Sequence, residues 1–285
     1  MTELMYDINS GAIAGVLFGS MLLAIEIGLR VGFSAKNSAT EASRSHVSAI
    51  QSSILGILAL LLAFTFSLSL QRFDSRSEAV VNEANAIGTA YLRAQLLPAS
   101  LRDDAQVALR EYLELRVQAS AVSGIERAER QELLTKTARS QTTLWGFARR
   151  AAEANPNPNP VTSGLFIQSL NEVFDAFGRR VAALDRHVPE MVLLLLYVTF
   201  VMAGAIVGFA SGAGGHRPSM ASYIMIVLMV VLVFIILDLD RPRRGVIEVS
   251  QKSLYDLQAA IKGEAKALGT QPPANTSVPA STGQR

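Results

Sequence analysis

No cysteine occurs among the 285 residues. That absence removes disulfides, thiolate nucleophiles and zinc-thiolate sites together, and it leaves the redox compartment open. Histidine is scarce too. His46, His187 and His216 lie at different edges of the apolar segments and form no catalytic or metal-binding cluster. No serine stands in a nucleophile-elbow pattern, and Gly212-Ala213-Gly214-Gly215 runs into His216-Arg217 where a phosphate loop would carry Lys and then Ser or Thr. Glu83, between Asn82 and Asn85, offers one carboxylate among amides, a poor set of ligands for a hard cation, and reads as a solvated or interhelical polar face. The chain is therefore expected to be no enzyme and to hold neither metal nor cofactor. A strong net charge is also missing: the formal value is +2, so the pI near 9.0 reflects a small arginine excess and gives no nucleic-acid-binding surface.

Apolar sequence is what the chain has in quantity. Half of it is hydrophobic and its mean hydropathy is +0.30. A bilayer core needs roughly 20 apolar residues in a helix, and the runs near 11–32, 50–70, 189–210 and 218–237 each come close. The first run is expected to be a retained span and not a signal peptide. Met1 to Ser10 contain Glu3 and Asp7 but no Lys or Arg, and the run exceeds the roughly 7–15 residues of a signal core. With both termini inside, the inner flanks hold Arg72, Arg76, Arg179, Arg180, Arg186, Arg241, Arg243, Arg244 and Lys252, against Arg30, Lys36, Arg44 and Arg217 outside. This asymmetry predicts cytoplasmic termini and a cytoplasmic central block, in a cell inner membrane. The expected fold is all-α: an integral membrane protein with four transmembrane helices and a cytosolic helical domain inserted between helices two and three.

Missing proline shapes the first part, residues 1–97. None occurs from Ser48 to Leu97, and Phe73, Val80, Ala84, Ile87 and Tyr91 continue the helical spacing of the second span, so one helix is expected to leave the membrane and end at Pro98. Residues 98–188 read as the helical region. Ser100 and Asp103 have capping-box spacing before a helix from 101 to about 121. A second helix after Gly124 is broken by the Asn-Pro repeat from Asn155 to Pro160. Thr162 is placed to cap a third, with the stripe Phe166, Leu170, Val173, Phe177, Val181, Leu184 and Val188. Residues 189–245 hold spans three and four with a basic juxtamembrane motif, 246–268 a short helix, and 269–285 a tail too poor in large apolar residues to pack.

Four features within the spans invite functional reading. Gly11, Gly15 and Gly19, and likewise Gly204, Gly208 and Gly212, recur every four residues and line one helix face each, as close helix contacts within or between subunits require. In the second span Gly56, Leu60, Phe64 and Leu68 share a face, with Ser52, Ser53, Thr65, Ser67 and Ser69 nearby. That face either packs in the bundle or, in a homo-oligomer, rings a pore where an apolar constriction gates by dewetting and nearby hydroxyls contact a partly dehydrated ion. Glu26 and Arg30 are charges inside a span, spaced for a local ion pair. Asp238, Asp240, Arg241, Arg243 and Arg244 close the last span. The arginines suit lipid headgroups of the bilayer, and the aspartates could pair with Arg72 or Arg76 and tie the long helix to the last span.

Leu61-Leu62-Ala63-Phe64-Thr65-Phe66-Ser67, Glu83-Ala84-Asn85-Ala86-Ile87-Gly88-Thr89 and Asp238-Leu239-Asp240-Arg241-Pro242-Arg243-Arg244-Gly245 resemble motifs of the bacterial bestrophin-like family, a similarity that extends over roughly residues 10–260. The resemblance implies a likeness to bestrophins, pentameric anion channels with four spans, a helical cytosolic region between spans two and three, and an apolar neck on span two. Counted back from Arg72-Phe73, Phe64 falls on a neck position, and Leu60 and Gly56 on two others where bestrophins carry bulkier side chains. This implies a neck that is wider or absent. Asp238 and Asp240 do not match the acidic calcium clasp of the eukaryotic members. A non-conducting membrane scaffold or sensor is the alternative role.

Overall fold

Apolar residues spaced three and four apart, with turn signals only between the runs, favour helix throughout, and every regular element among the described residues is an α-helix. The structure, a computed structural model, describes residues 9–37, 40–121, 127–153, 160–241 and 245–269. In chain order the helices are α1 (Ser10–Ala35), α2 (Glu41–Ala94), α3 (Ala99–Ala121), α4 (Arg127–Glu153), α5 (Pro160–Asp185), α6 (Glu190–Ala213), α7 (Met220–Asp240) and α8 (Lys252–Gly269). Stretches long and apolar enough to cross a membrane lie in α1, α2, α6 and α7.

Helix boundaries follow local hydrogen bonding. The 54 residues of α2, at about 1.5 Å each, extend roughly 80 Å; the helix begins at Glu41, earlier than the expected Ser48. It closes through tight turns in which the N–H groups of Gln95, Leu96 and Leu97 reach the carbonyls of Leu92, Arg93 and Ala94. The Pro98 carbonyl then accepts from the N–H groups of Leu101 and Arg102 at 2.9 and 3.0 Å. The chain thus enters α3 at Pro98, and Ser100 sits inside the first turn instead of capping it. Pro160 is the first residue of α5, a position where its missing N–H costs nothing, which places Thr162 within the helix and not at its cap. The last helix starts at Lys252 rather than 246, because the N–H groups of Val246 and Ile247 are bound by Asp238. The Asn-Pro repeat up to Asn159 and the tail after Gly269 lie outside the described residues.

The described residues form two compact units, one made of residues up to Ala79 with Gly178–Val249, the other running from Val80 to Phe177 and resuming at Ser250. In the first, Leu17, Met21, Leu58, Leu62, Phe200 and Ile236 form a core drawn from all four apolar helices. In the second, Ile87, Leu109, Tyr112, Leu144, Phe166 and Leu170 are fully buried. That core also encloses an ion pair. Glu83 accepts from Arg116 Nε at 2.6 Å, and the same guanidinium lies 4.7 Å from the centre of the Phe177 ring. Glu83 is thus an interior group with an arginine partner, a buried pair of the kind whose rupture is costly.

Close backbone approach joins α1 to α6 in the first unit. A Cβ on Gly208 would collide with the backbone of Ile25, and one on Gly212 with that of Leu29; Gly204 lies 3.1 Å from the Met21 carbonyl by the same measure. From the other side, Gly28 and Gly32 meet the backbones of Ala205 and Phe209. Ser20 and Tyr197 add a hydroxyl–hydroxyl bond of 2.7 Å between the two helices.

Candidate functional site

Along the first-unit part of α2, side chains divide sharply by face. Leu58, Leu62, Thr65, Ser69 and Arg76 are at most 6% exposed. Leu60, Phe64 and Leu68 are 56%, 61% and 43% exposed, and a Cβ on Gly56 would touch nothing within 4 Å. Among the described residues, therefore, nothing packs on the Gly56, Leu60, Phe64 and Leu68 stripe as a bundle core would. The exposed face is also longer than the apolar stripe. Ser53, Ile57, Leu60, Phe64, Ser67, Gln71, Asp74 and Glu78 follow one another at steps of four and three and are all exposed, so an apolar middle is flanked by polar ends. Ser52 and Ser53 bond the carbonyls of Ser48 and Ala49, and Thr65 that of Leu61, as hydroxyls in spans commonly do.

In the first unit the buried face of α2 ends in a charged knot. Arg76 Nε donates to the Ala183 carbonyl at 3.1 Å, Nη1 to Leu239 at 3.0 Å, and Nη2 to Arg186 and Asp240 at 2.8 and 2.9 Å. A guanidinium offers five donors in a rigid fork, and here they meet carbonyls at the C-terminal ends of α5 and α7, where helix dipoles favour positive charge. Asp240 supplies the countercharge. Its carboxylate accepts from the Val188 N–H at 2.9 Å and Arg72 Nη1 at 3.3 Å, with Arg76 Nη2 at 4.0 Å. His187 Nδ1 lies 3.3 Å from the Asp240 carbonyl. Asp238 pairs with neither Arg72 nor Arg76. One of its oxygens accepts the N–H groups of Val246 and Ile247, both at 2.8 Å, and a Cβ on Gly245 would fall 2.7 Å from that carboxylate and push it out of this position. Arg241 is buried, which removes it from the lipid headgroups; Arg243 and Arg244 lie outside the described residues.

Other expected site residues scatter. Glu26 and Arg30 form an exposed ion pair of 2.8 Å along α1. Gly15 and Gly19 face open space, and at Gly11 the near neighbour is the Asn9 side chain that caps α1, so among the described residues the first glycine set makes no close helix contact. The glycines of α1 that do so, Gly28 and Gly32, share the four-residue spacing, and that spacing could have found them. Arg116 also escaped notice, although an arginine one helical turn after Tyr112 and Leu113 marks a charge pointing into a core.

Similarity to known proteins fits this arrangement of helices. The Bestrophin-like domain family matches residues 18–254. The chain belongs to that family. Among solved structures, a single-residue variant of a bacterial bestrophin homologue from Klebsiella pneumoniae superposes with a TM-score of 0.61 at 17% identity, covering 90% of this chain and 98% of the homologue. A second variant from that organism gives 0.58 at 18% identity, over 88% and 98%. A crystal structure described as a membrane protein gives 0.57 at 17%, over 90% and 99%. These are likenesses of fold, and with the four apolar helices they make this Bestrophin-like chain an integral membrane protein. No curated protein matches it.

Proposed function

We propose that this Bestrophin-like chain is an anion-channel-like protein of the inner membrane that forms a homo-oligomer around an ion pathway lined by the exposed face of α2. The observation that carries the reading is the contrast between the buried Leu58, Leu62 and Thr65 and the exposed Leu60, Phe64 and Leu68 on one helix, together with the polar residues that extend the exposed stripe at both ends. Gln71, Asp74 and Glu78 follow the apolar run at 50–70, where the helix leaves the bilayer, and would stand at one mouth of such a path, with Leu60 and Phe64 at its dry middle. On this reading Leu60 and Phe64 form the constriction, which gates by dewetting, Gly56 leaves it wide on one side, and the second unit is cytosolic with both termini.

Chloride flux from liposomes loaded with purified protein tests the proposal. Phe64→Ala should widen and wet the path and raise flux, and Phe64→Trp should lower it. A scaffold or sensor without a pore is the competing role, in which another helix covers the exposed face and both substitutions alter stability alone. Flux no greater than that of protein-free liposomes, for wild type and Phe64→Ala alike, would replace the channel reading by the scaffold.

A further inference from the structure

A cavity of about 310 Å³ opens in the first unit between the start of α2 and the turn that joins α6 to α7. Its polar lining comes from three elements: Arg44, Ser48 and Gln51 on α2, Ser211 near the end of α6, and His216 and Ser222 around the turn. Arg44, Ser48, Gln51 and Ser222 bring donors to it, the Ser211 hydroxyl is given to the Val207 carbonyl at 3.0 Å, His216 Nδ1 meets the Arg217 carbonyl at 3.1 Å, and no carboxylate lines the cavity. Val207 and Ala210 give it an apolar side. Among the described residues neither Arg44 nor Arg217 forms an ion pair. A further cation stands beside the cavity: the Lys36 side chain lies against Gly215, whose φ of 78° brings the turn backbone under it.

Size and depth narrow the ligand. A halide ion would fill only a small part of this volume, which is that of a small-molecule pocket. Arginine matches the fork of a phosphate with paired N–H groups, and the surrounding hydroxyls and amide can take the remaining oxygens. The cavity also lies where α6 ends at Ala213, α7 begins at Met220 and the apolar run of α2 has yet to begin. Helices that cross a bilayer leave the hydrocarbon at such points, and lipid phosphates lie at that level. An apolar side next to a cationic, donor-rich end suits a group that carries a phosphate on a hydrocarbon body.

We propose that this cavity is a phosphate-binding site, occupied by the phosphate of an anionic phospholipid headgroup or by free phosphate, held by Arg44 and His216. The site is separate from the exposed stripe of α2 and stands whether or not the chain conducts ions.

Native mass spectrometry and thermal unfolding of the full chain in detergent test it. The probes are dioleoyl phosphatidylglycerol, dioleoyl phosphatidylcholine and inorganic phosphate; the variants are Arg44→Gln, His216→Gln and, as a control for general attraction, Arg217→Gln. If the source is lipid, wild type should retain phosphatidylglycerol about tenfold more strongly than phosphatidylcholine and melt higher in its presence. Arg44→Gln and His216→Gln should lose most of that preference while Arg217→Gln keeps it. If the source is free phosphate, millimolar inorganic phosphate should raise the melting temperature of wild type and of Arg217→Gln but not of the other two. Equal retention of both lipids by wild type with no response to inorganic phosphate would overturn the site. So would a preference that survives in Arg44→Gln and His216→Gln. Arg44 and His216 are both exposed at this end of the bundle, so their loss should not unfold the chain, and the comparison of lipids on wild type decides the matter even if it does.

Discussion

Two stripes run along α2 a couple of residues apart. One carries Leu58, Leu62, Thr65, Ser69 and Arg76, the other Gly56, Leu60, Phe64 and Leu68. Their compositions are close, with leucines and small residues in each, yet the first is buried against the bundle and the second is left bare by the chain. In water that bareness would be a defect, since an exposed leucine row of this length marks an interaction surface. In a membrane it separates two functions of one helix: the buried face anchors, and the bare face is free to meet ions, lipid or another copy.

The anchor is where substitution should hurt most. Arg76→Met removes the donors to four carbonyls at two helix ends and strips the buried Asp240 of one positive neighbour. Truncating one partner of such a pair typically costs about 3–5 kcal/mol, so the variant should fail to yield folded protein or melt far below wild type. A melting temperature equal to wild type would remove Arg76 from the anchoring role. A milder contrast lies about four helical turns nearer the membrane centre. Leu62→Ala should cost about 2–5 kcal/mol, while Leu60→Ala should stay within about 0.5 kcal/mol. Equal losses in thermal unfolding would mean that the two faces are not distinct.

Such a contrast could not be read from the residues alone. Periodicity is local, so the helices, the long proline-free α2 and the four apolar runs were legible in the sequence, and motif resemblance led to the family. Which stripe of α2 is buried depends on where α1, α6 and α7 stand, and hydrocarbon accepts leucine on either face. The same limit explains the glycines. Gly15 and Gly19 have the spacing of Gly204 and Gly208, but among the described residues only the latter meet another helix, and Gly28 and Gly32, interleaved with Glu26 and Arg30, make the contact from the side of α1. Asp240 and Arg76 were visible as charges. The four carbonyls around Arg76 were not, because they belong to the ends of two other helices.

Glycine substitutions sharpen the contrast at smaller scale. Gly208→Leu drives a side chain into the Ile25 backbone, and overpacking of this kind costs about 1–3 kcal/mol. Gly15→Leu, with open space around it, should leave thermal stability within about 0.5 kcal/mol of wild type. A comparable loss at Gly15, accompanied by a smaller assembly on size exclusion, would show instead that the outer face of α1 meets a neighbouring subunit.

The smallest effect on stability, and the most telling for ion passage, concerns Asp74 and Glu78. Both are exposed on the stripe that holds Phe64, and neither makes a hydrogen bond or ion pair among the described residues, so Asp74→Asn with Glu78→Gln should not change the melting temperature. In a homo-oligomer each subunit would contribute two carboxylates near one end of the pathway. Such a ring raises the local concentration of cations and lowers that of anions, opposing the chloride preference that a likeness to bestrophins suggests. Neutralising the ring should therefore move the reversal potential in asymmetric KCl toward the chloride equilibrium potential. Because exposed charges are screened over about 10 Å at 0.1 M salt, the shift should be larger in dilute than in concentrated solution. A reversal potential unchanged at low ionic strength would place Asp74 and Glu78 away from the ion path, and with them the exposed face of α2 that they share with Phe64.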